Sequence, residues 1–184
     1  MTPSEQSEYK ERLLNAASEL IDAQGLEGLT AGKLASHVGL RRTVVHYHFG
    51  TMDHLLAALI RRSSAQMRRD VLDRLSPATI GEDLWVIYRR TLHATEAFRA
   101  RALVSEVVGM AYREAVDDFV SAISALLEAG YRQRGLIPEI PPQTMAMVLL
   151  MAAQFAGVER ALGRSDEIDD LEAYIKSLFA ISGR

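Results

Sequence analysis

The sequence predicts an all-α protein of about nine helices, with an N-terminal helix-turn-helix domain over residues 1–54 and a C-terminal helical bundle over residues 55–184. Three observations predict it. Apolar residues recur three and four apart along most of the chain, as in Leu13, Ala16, Ala17, Leu20 and Ile21, which is the period of one helix face. No stretch alternates apolar and polar residues over a strand length, and no Asn-Gly pair offers a hairpin turn. Gly25, Gly39, Ser76-Pro77, Pro141-Pro142 and Gly163 fall between the stripes, where helices stop or start.

The first helix is expected from about Glu8 to Gln24, with residues 1–7 as a polar tail and Gly25 as the stop. Its Lys10 and Arg12 stand near the start, within reach of a phosphate or of solvent. The stretch from Leu29 to Phe49 then reads as two short helices joined by a tight turn. Thr30 is a good N-cap, because its hydroxyl accepts from an orphan first-turn N–H. Leu34, Ala35 and Val38 share one face, Gly39 supplies a left-handed turn residue, and Leu40 packs beyond it. The second short helix carries Val44 and Val45 inward and Arg41, Arg42, Thr43 and Tyr47 outward. The small Ala35 lets the two helices cross closely. This is the layout of a helix-turn-helix, whose second helix enters the DNA major groove.

The outward side chains suit that role. Arg is bidentate to guanine, Thr bonds a base or a phosphate, and Tyr reaches a phosphate oxygen. No Asp or Glu occurs between Gly28 and Met52, whereas Lys33, Arg41 and Arg42 do. An acidic face would repel a polyanion. The expected DNA-binding set is therefore Thr30, Lys33, Arg41, Arg42, Thr43, His46, Tyr47 and His48, with Thr30 and Lys33 flanking on phosphates and His48 also a structural hydrogen bonder.

The N-terminal region resembles the DNA-binding domain of TetR-family transcriptional regulators. The residues that carry the resemblance are Leu13-Leu14-Asn15-Ala16-Ala17, Gly25, Leu29-Thr30, Leu34-Ala35 through Gly39-Leu40, Tyr47-His48-Phe49-Gly50 and Asp53-His54-Leu55-Leu56. The resemblance implies a homodimeric, ligand-released repressor acting on a palindromic double-stranded DNA operator. It also implies that His46 stands where the family has Tyr, and Met52 where it has Lys, both family residues contacting phosphate.

The bounds agree with such a protein. A chain of 184 residues buries a real core, and its composition, 48% hydrophobic and 24% charged, is that of an ordinary globular protein. The net charge of −3 does not suit a nonspecific DNA coat, but a specific regulator needs only a local basic face. The absence of cysteine removes disulfides, thiolate zinc sites and cysteine nucleophiles, and fits the expected cytoplasmic location. The N-terminus has no signal-peptide apolar core, and no apolar run approaches a membrane span.

Further along, Asp53 is expected to cap a fourth helix that runs toward Leu75, with Leu55, Leu56, Leu59 and Ile60 inward and Arg61, Arg62, Arg68 and Arg69 on a solvated face. Helices follow over about 80–98, 101–110, 113–134, 143–162 and 167–181. The helices over 143–162 and 167–181 carry more apolar residues than one bundle covers. They are expected to pair with their copies across a two-fold axis. The absence of a linker after the fourth helix means that a shift in the bundle must move the recognition helix.

Other chemistry is thin. His46, His48, Asp53 and His54 lack metal-ligand spacing, His93 and Glu96 make an ordinary i, i+3 pair, and no metal or cofactor is expected. No nucleophile elbow, phosphate loop or dinucleotide fingerprint appears, and no catalytic residue is assigned. Trp85, Tyr88, Met110, Tyr112, Met147, Met151, Gln154 and Phe155 form the candidate ligand-binding set, for a small apolar or aromatic effector. The same residues also suit a plain bundle core. Two other readings stand beside the regulator: an interaction protein whose helix-turn-helix no longer reads DNA, and a helical-bundle enzyme.

Overall fold

The computed structural model describes residues 3–74, 98–164, 168–171 and 173–174. Among them every regular element is helical, so the predicted all-α class is borne out. The elements are α1 (Pro3–Gln24), a 3₁₀ turn (Leu26–Gly28), α2 (Ala31–His37), α3 (Arg42–Phe49), α4 (Met52–Arg74), a short helical segment over 98–102, α5 (Glu106–Gln133) and α6 (Pro142–Ala161). The helix expected over 80–98 lies outside the described residues but for its last residue, as does much of the helix expected over 167–181; residues 168–171 and 173–174 are helical. No helix among the described residues is long and apolar enough to cross a membrane.

The chain packs as two compact units, and α4 and α5 each give residues to both. The first holds residues 3–63 and 98–115 of the described chain. Its core is built from Leu13, Ala17 and Ile21 of α1, Leu34 and Ala35 of α2, Val45 and Phe49 of α3, Leu55, Leu56 and Leu59 of α4, and Val108 and Ala111 of α5. The second has its own core of Val71, Phe119, Ile123 and Leu127, with Ala146, Leu149, Ala153 and Ala156 of α6 and Ile168. Each stripe is the face that the apolar period marks, so these helices are held by burial rather than by propensity.

Several boundaries differ from the sequence reading. α1 begins at Pro3, not Glu8, because Pro suits a first helical turn and nothing after it breaks the helix. The helices expected over 101–110 and 113–134 are not separated at residues 111–112. The break falls at Leu103-Val104, and α5 runs unbroken from Glu106. Ser105 explains this, since its Oγ accepts from the N–H of Val108 at 3.4 Å and starts the helix there. Gly109 lies inside α5 with the carbonyl of Ala102 against it; a Cβ at 109 would sit 2.9 Å from that oxygen. Asp53 does not cap α4. Thr51 does, its Oγ1 accepting from the N–H of His54 at 3.2 Å, because a cap must precede the first turn and Asp53 lies inside it.

Candidate nucleic-acid interface

The hairpin is locally determined. Thr30 Oγ1 accepts from the N–H of Lys33 at 3.2 Å, as its cap position requires. Gly39 has φ of +69°, and the N–H of Leu40 bonds back to Ala35 O at 2.8 Å, a Schellman closure that turns the chain at the end of α2. Leu34, Ala35, Val45 and Phe49 are sealed in the core, and Val44 is half-buried. With that side sealed, Arg41, Arg42, Thr43, His46 and Tyr47 are all exposed on the other. Arg41 is the N-cap of α3 and offers no side-chain acceptor, so its own side chain leaves the first-turn N–H groups uncapped.

Neighbours restrain several of these groups. Gln6 of α1 donates from Nε2 to the Tyr47 hydroxyl at 3.1 Å, which leaves the phenolic O–H to donate elsewhere. Lys33 Nζ donates to Gln24 Oε1 at 3.1 Å. Thr30, spent as a cap acceptor, keeps its own O–H. His46 is exposed, and its Nδ1 lies 3.0 Å from the carbonyl of Gly50. A carbonyl only accepts, so the ring must donate from Nδ1.

His48 does not join this face. It is half-buried, with its ring 5.2 Å from that of Tyr47, 6.4 Å from that of Tyr9 and 6.5 Å from that of Phe49. Nor is it the hydrogen bonder expected: its Nε2 is sealed from solvent with no hydrogen-bond partner among the described residues. Burial, and then the nearby Lys10 charge, hold its imidazole below the ordinary histidine range. Its position one turn beyond Val45 and next to Phe49 turns it into the α1–α3 contact rather than outward.

The arginines of α4 are not a solvated face throughout. Arg62 binds Asn15 Oδ1 at 2.8 Å, Leu14 O at 3.0 Å, Ser18 Oγ at 3.4 Å and Glu11 Oε2 at 3.3 Å, all on α1. Arg61 forks onto Glu114 at 2.7 and 3.3 Å. Arg12, a possible phosphate contact, reaches Val38 O at 3.4 Å, and Lys10 lies over the Phe49 ring. Met52 is half-buried against the first core.

Of the candidate ligand set, Trp85 and Tyr88 lie outside the described residues. Met110 and Tyr112 belong to the first unit, Met110 exposed and Tyr112 half-buried. The rest lie on α6 of the second, where Gln154 is half-buried and Met147, Met151 and Phe155 are exposed. Those three are spaced i, i+4, i+8 on the side of α6 away from Ala146, Leu149, Ala153 and Ala156, and with Val148 they make an exposed apolar stripe, beyond which Leu162, just past the end of α6, is exposed as well.

Sequence reasoning missed Gln6, which it left in a tail, and Arg101 and Ser105. The Arg101 guanidinium donates to both carboxylate oxygens of Asp53, from Nε at 3.0 Å and from Nη2 at 2.7 and 2.9 Å, and Ser105 Oγ donates to Asp53 Oδ2 at 2.7 Å. Burial would raise the Asp53 carboxyl, but the bonds from Ser105 and Arg101 and the charges of Arg101 and His54 hold it below the carboxylate range. A Ser followed by Glu ahead of an apolar run is a helix-start signal, and it was available at Ser105.

Comparison with known proteins agrees with this geometry. Residues 13–59 match the family model described as bacterial regulatory proteins, tetR family. No curated protein matches in sequence. A transcriptional regulator from Saccharomonospora viridis, solved in complex with choline, shares 18% identity and a TM-score of 0.78 over 95% of this chain and 96% of its own. A TetR transcription regulator from Haloarcula marismortui shares 17% identity and a TM-score of 0.76 over 96% and 97%. Reduced NemR from E. coli shares 19% and 0.73 over 91% and 96%. The fold is thus shared along the chain with these regulators, and residues 13–59, which include the hairpin, are similar to the bacterial regulatory proteins of the tetR family.

Proposed function

We propose that this protein is a homodimeric, ligand-released transcriptional repressor that reads a palindromic operator, with residues 1–54 meeting DNA and 55–184 serving dimerisation and effector binding. One observation carries the DNA half. Arg41, Arg42, Thr43 and Tyr47 stand exposed together on the outer side of a hairpin whose inner side is sealed, with no acid from Gly28 to Met52. Arg41 and Arg42 read bases, Thr43 and Tyr47 support them, Thr30 and Lys33 flank on phosphates, and His46 stands beside them with its Nδ1–H held by Gly50. His48 has no part in contacting DNA, since its ring is turned inward.

The dimer half is supported by the stripe of Met147, Val148, Met151 and Phe155 on α6. A contiguous apolar stripe on one helix marks a contact surface. A second copy related by a two-fold axis covers it with an identical stripe, and would set two recognition helices at the spacing of half-sites. Met147, Met151 and Phe155 fit this role better than the lining of an effector pocket. Tyr174 of the last helical segment is also exposed.

Tyr112 of the first unit and Gln154 of the second, each half-buried, are kept as separate candidates for an effector contact, as are Trp85 and Tyr88, which lie outside the described residues. They suit an apolar or aromatic molecule. The choline held by the S. viridis relative adds quaternary ammonium compounds to the classes worth screening, since aromatic faces bind such cations. A specific observation also favours the reading in which DNA specificity is lost: His46 spends its Nδ1–H on Gly50, and Met52 is half-buried and carries no charge.

The deciding experiment is selection of a duplex from a randomised library, followed by titration at fixed salt. Arg41→Ala or Arg42→Ala should cost about 1–3 kcal/mol on the selected duplex, and Lys33→Ala should weaken all duplexes alike. Equal weak binding to every sequence would favour the interaction protein. A thermal-shift screen with choline and apolar metabolites, then titration with each hit, tests release.

A further inference from the structure

We infer that Arg101 is a positioning residue for DNA recognition: by clamping Asp53 it fixes the first turn of α4 and, through the two-residue link Gly50–Thr51, the reading helix α3. The inference rests on the DNA-binding reading above and adds a control point outside residues 1–54.

The geometry is specific. Asp53 Oδ1 receives Arg101 Nε and Nη2, and Oδ2 receives Arg101 Nη2 and the Ser105 hydroxyl. Arg101 closes the helical segment over 98–102, and Ser105 opens α5 while accepting from Val108 N–H. One carboxylate therefore ties together the start of α4, the end of one helical segment and the start of the next. Nothing about capping requires it there, since Thr51 already caps α4. The other side of the node is held as firmly, because the contact between Gly109 and the Ala102 carbonyl leaves no room for a Cβ.

The link to the DNA face is equally short. α3 ends at Phe49 and α4 begins at Met52. Gly50 turns at φ of +72°, its N–H bonded to His46 O at 2.8 Å, and Leu55 N–H bonds Thr51 O at 3.2 Å. The two helices share the first core through Phe49, Leu55 and Leu56. A displacement of the first turn of α4 therefore reaches α3 through backbone bonds and packing. The pair itself is partly solvated, with side-chain exposures of 43% for Arg101 and 25% for Asp53, so its contribution to stability is modest. A bidentate fork gives direction more than energy, which is what a positioning role needs.

The test compares wild-type, Arg101→Ala, Arg101→Lys, Asp53→Asn and the double variant Asp53→Asn/Arg101→Ala on two duplexes: the one that wild-type selects from a randomised library, and a scramble of it. Arg101→Ala should weaken the selected duplex by about tenfold and leave the scramble within about twofold, because nonspecific binding depends on charge near phosphates and not on the set of α3. Arg101→Lys, which keeps the charge but not the fork, should fall between. The double variant should be no worse than the worse single one. If Arg101→Ala does not fold, Arg101→Lys carries the comparison. An unchanged affinity for the selected duplex overturns the inference. So does an equal loss on both duplexes, which is the mark of a purely structural role. If wild-type selects no duplex, the DNA-binding reading itself fails, and this inference with it.

Discussion

The Nδ1 atom of His46 lies 3.0 Å from the carbonyl oxygen of Gly50, the residue that ends the reading helix. The ring must donate in that bond, so the neutral imidazole presents a bare lone pair at Nε2. A phosphate oxygen also only accepts. Neutral His46 thus meets a phosphate acceptor to acceptor. A phenol donates whatever its surroundings. His46→Tyr is therefore expected to tighten the selected duplex by about one hydrogen bond, ~1 kcal/mol or roughly fivefold. Direct titration checks it, and an unchanged affinity would show that position 46 does not approach the backbone.

His48 is expected to add to the acid sensitivity of the first unit. Burial and then the Lys10 charge lower its pKa, so the folded chain resists taking up a proton that the unfolded chain accepts. Below about pH 6.5 the unfolded state binds more protons, and stability falls as pH falls until the folded imidazole itself titrates. Urea unfolding of wild-type and His48→Gln between about pH 7.5 and 5.5 should show a steeper decline in the wild-type. Parallel curves would assign that decline to other groups.

The stripe on α6 makes a prediction about assembly. Met151 is 66% exposed and Phe155 56%, so replacing both with Glu leaves the core of the second unit untouched. The chain should keep its melting temperature at low concentration yet sediment as a monomer at micromolar concentration, where the proposed interface makes wild-type sediment as a dimer. Binding to a full palindrome should fall to that of a half-site. A doubly substituted chain that still sediments as a dimer would move the interface elsewhere.

Two glycines should respond in opposite senses. Gly32 lies in α2 with nothing within 4 Å of an added Cβ, so Gly32→Ala is expected to stabilise by about 0.5–1 kcal/mol. Gly109 has the Ala102 carbonyl oxygen 2.9 Å from the position of its Cβ, and backbone cannot step aside. Gly109→Ala should cost about 1–3 kcal/mol. Denaturant midpoints decide both, and similar midpoints for the two variants would contradict the packing at 102–109.

Features set by a few neighbouring residues were legible from the sequence. Thr30 as a cap, Gly39 as a left-handed turn, Val45 inward and Arg42 outward all follow from local chemistry and helical period, and the structure has them so. Pairings across long separations were not. Asp53 reads as a cap because its nearest neighbours are a helix start, whereas its partners Arg101 and Ser105 are some fifty residues away. Arg62 reads as a surface charge until α1 supplies four acceptors around it. The stripe of Met147, Met151 and Phe155 is apolar in either role, and only the placement of α6 tells the outer side from the inner one.

The joint at Gly50–Thr51 has a mechanical consequence. α3 has eight residues, about 12 Å of helix, and Arg41 and Arg42 stand at its end farther from the joint. A tilt of about 10° at the joint sweeps that end through roughly 2 Å, by the same helix length. The distance window of a base-edge hydrogen bond is only about 0.5 Å wide. Under the proposed base readout, a tilt of that size therefore carries the arginines out of register with the bases.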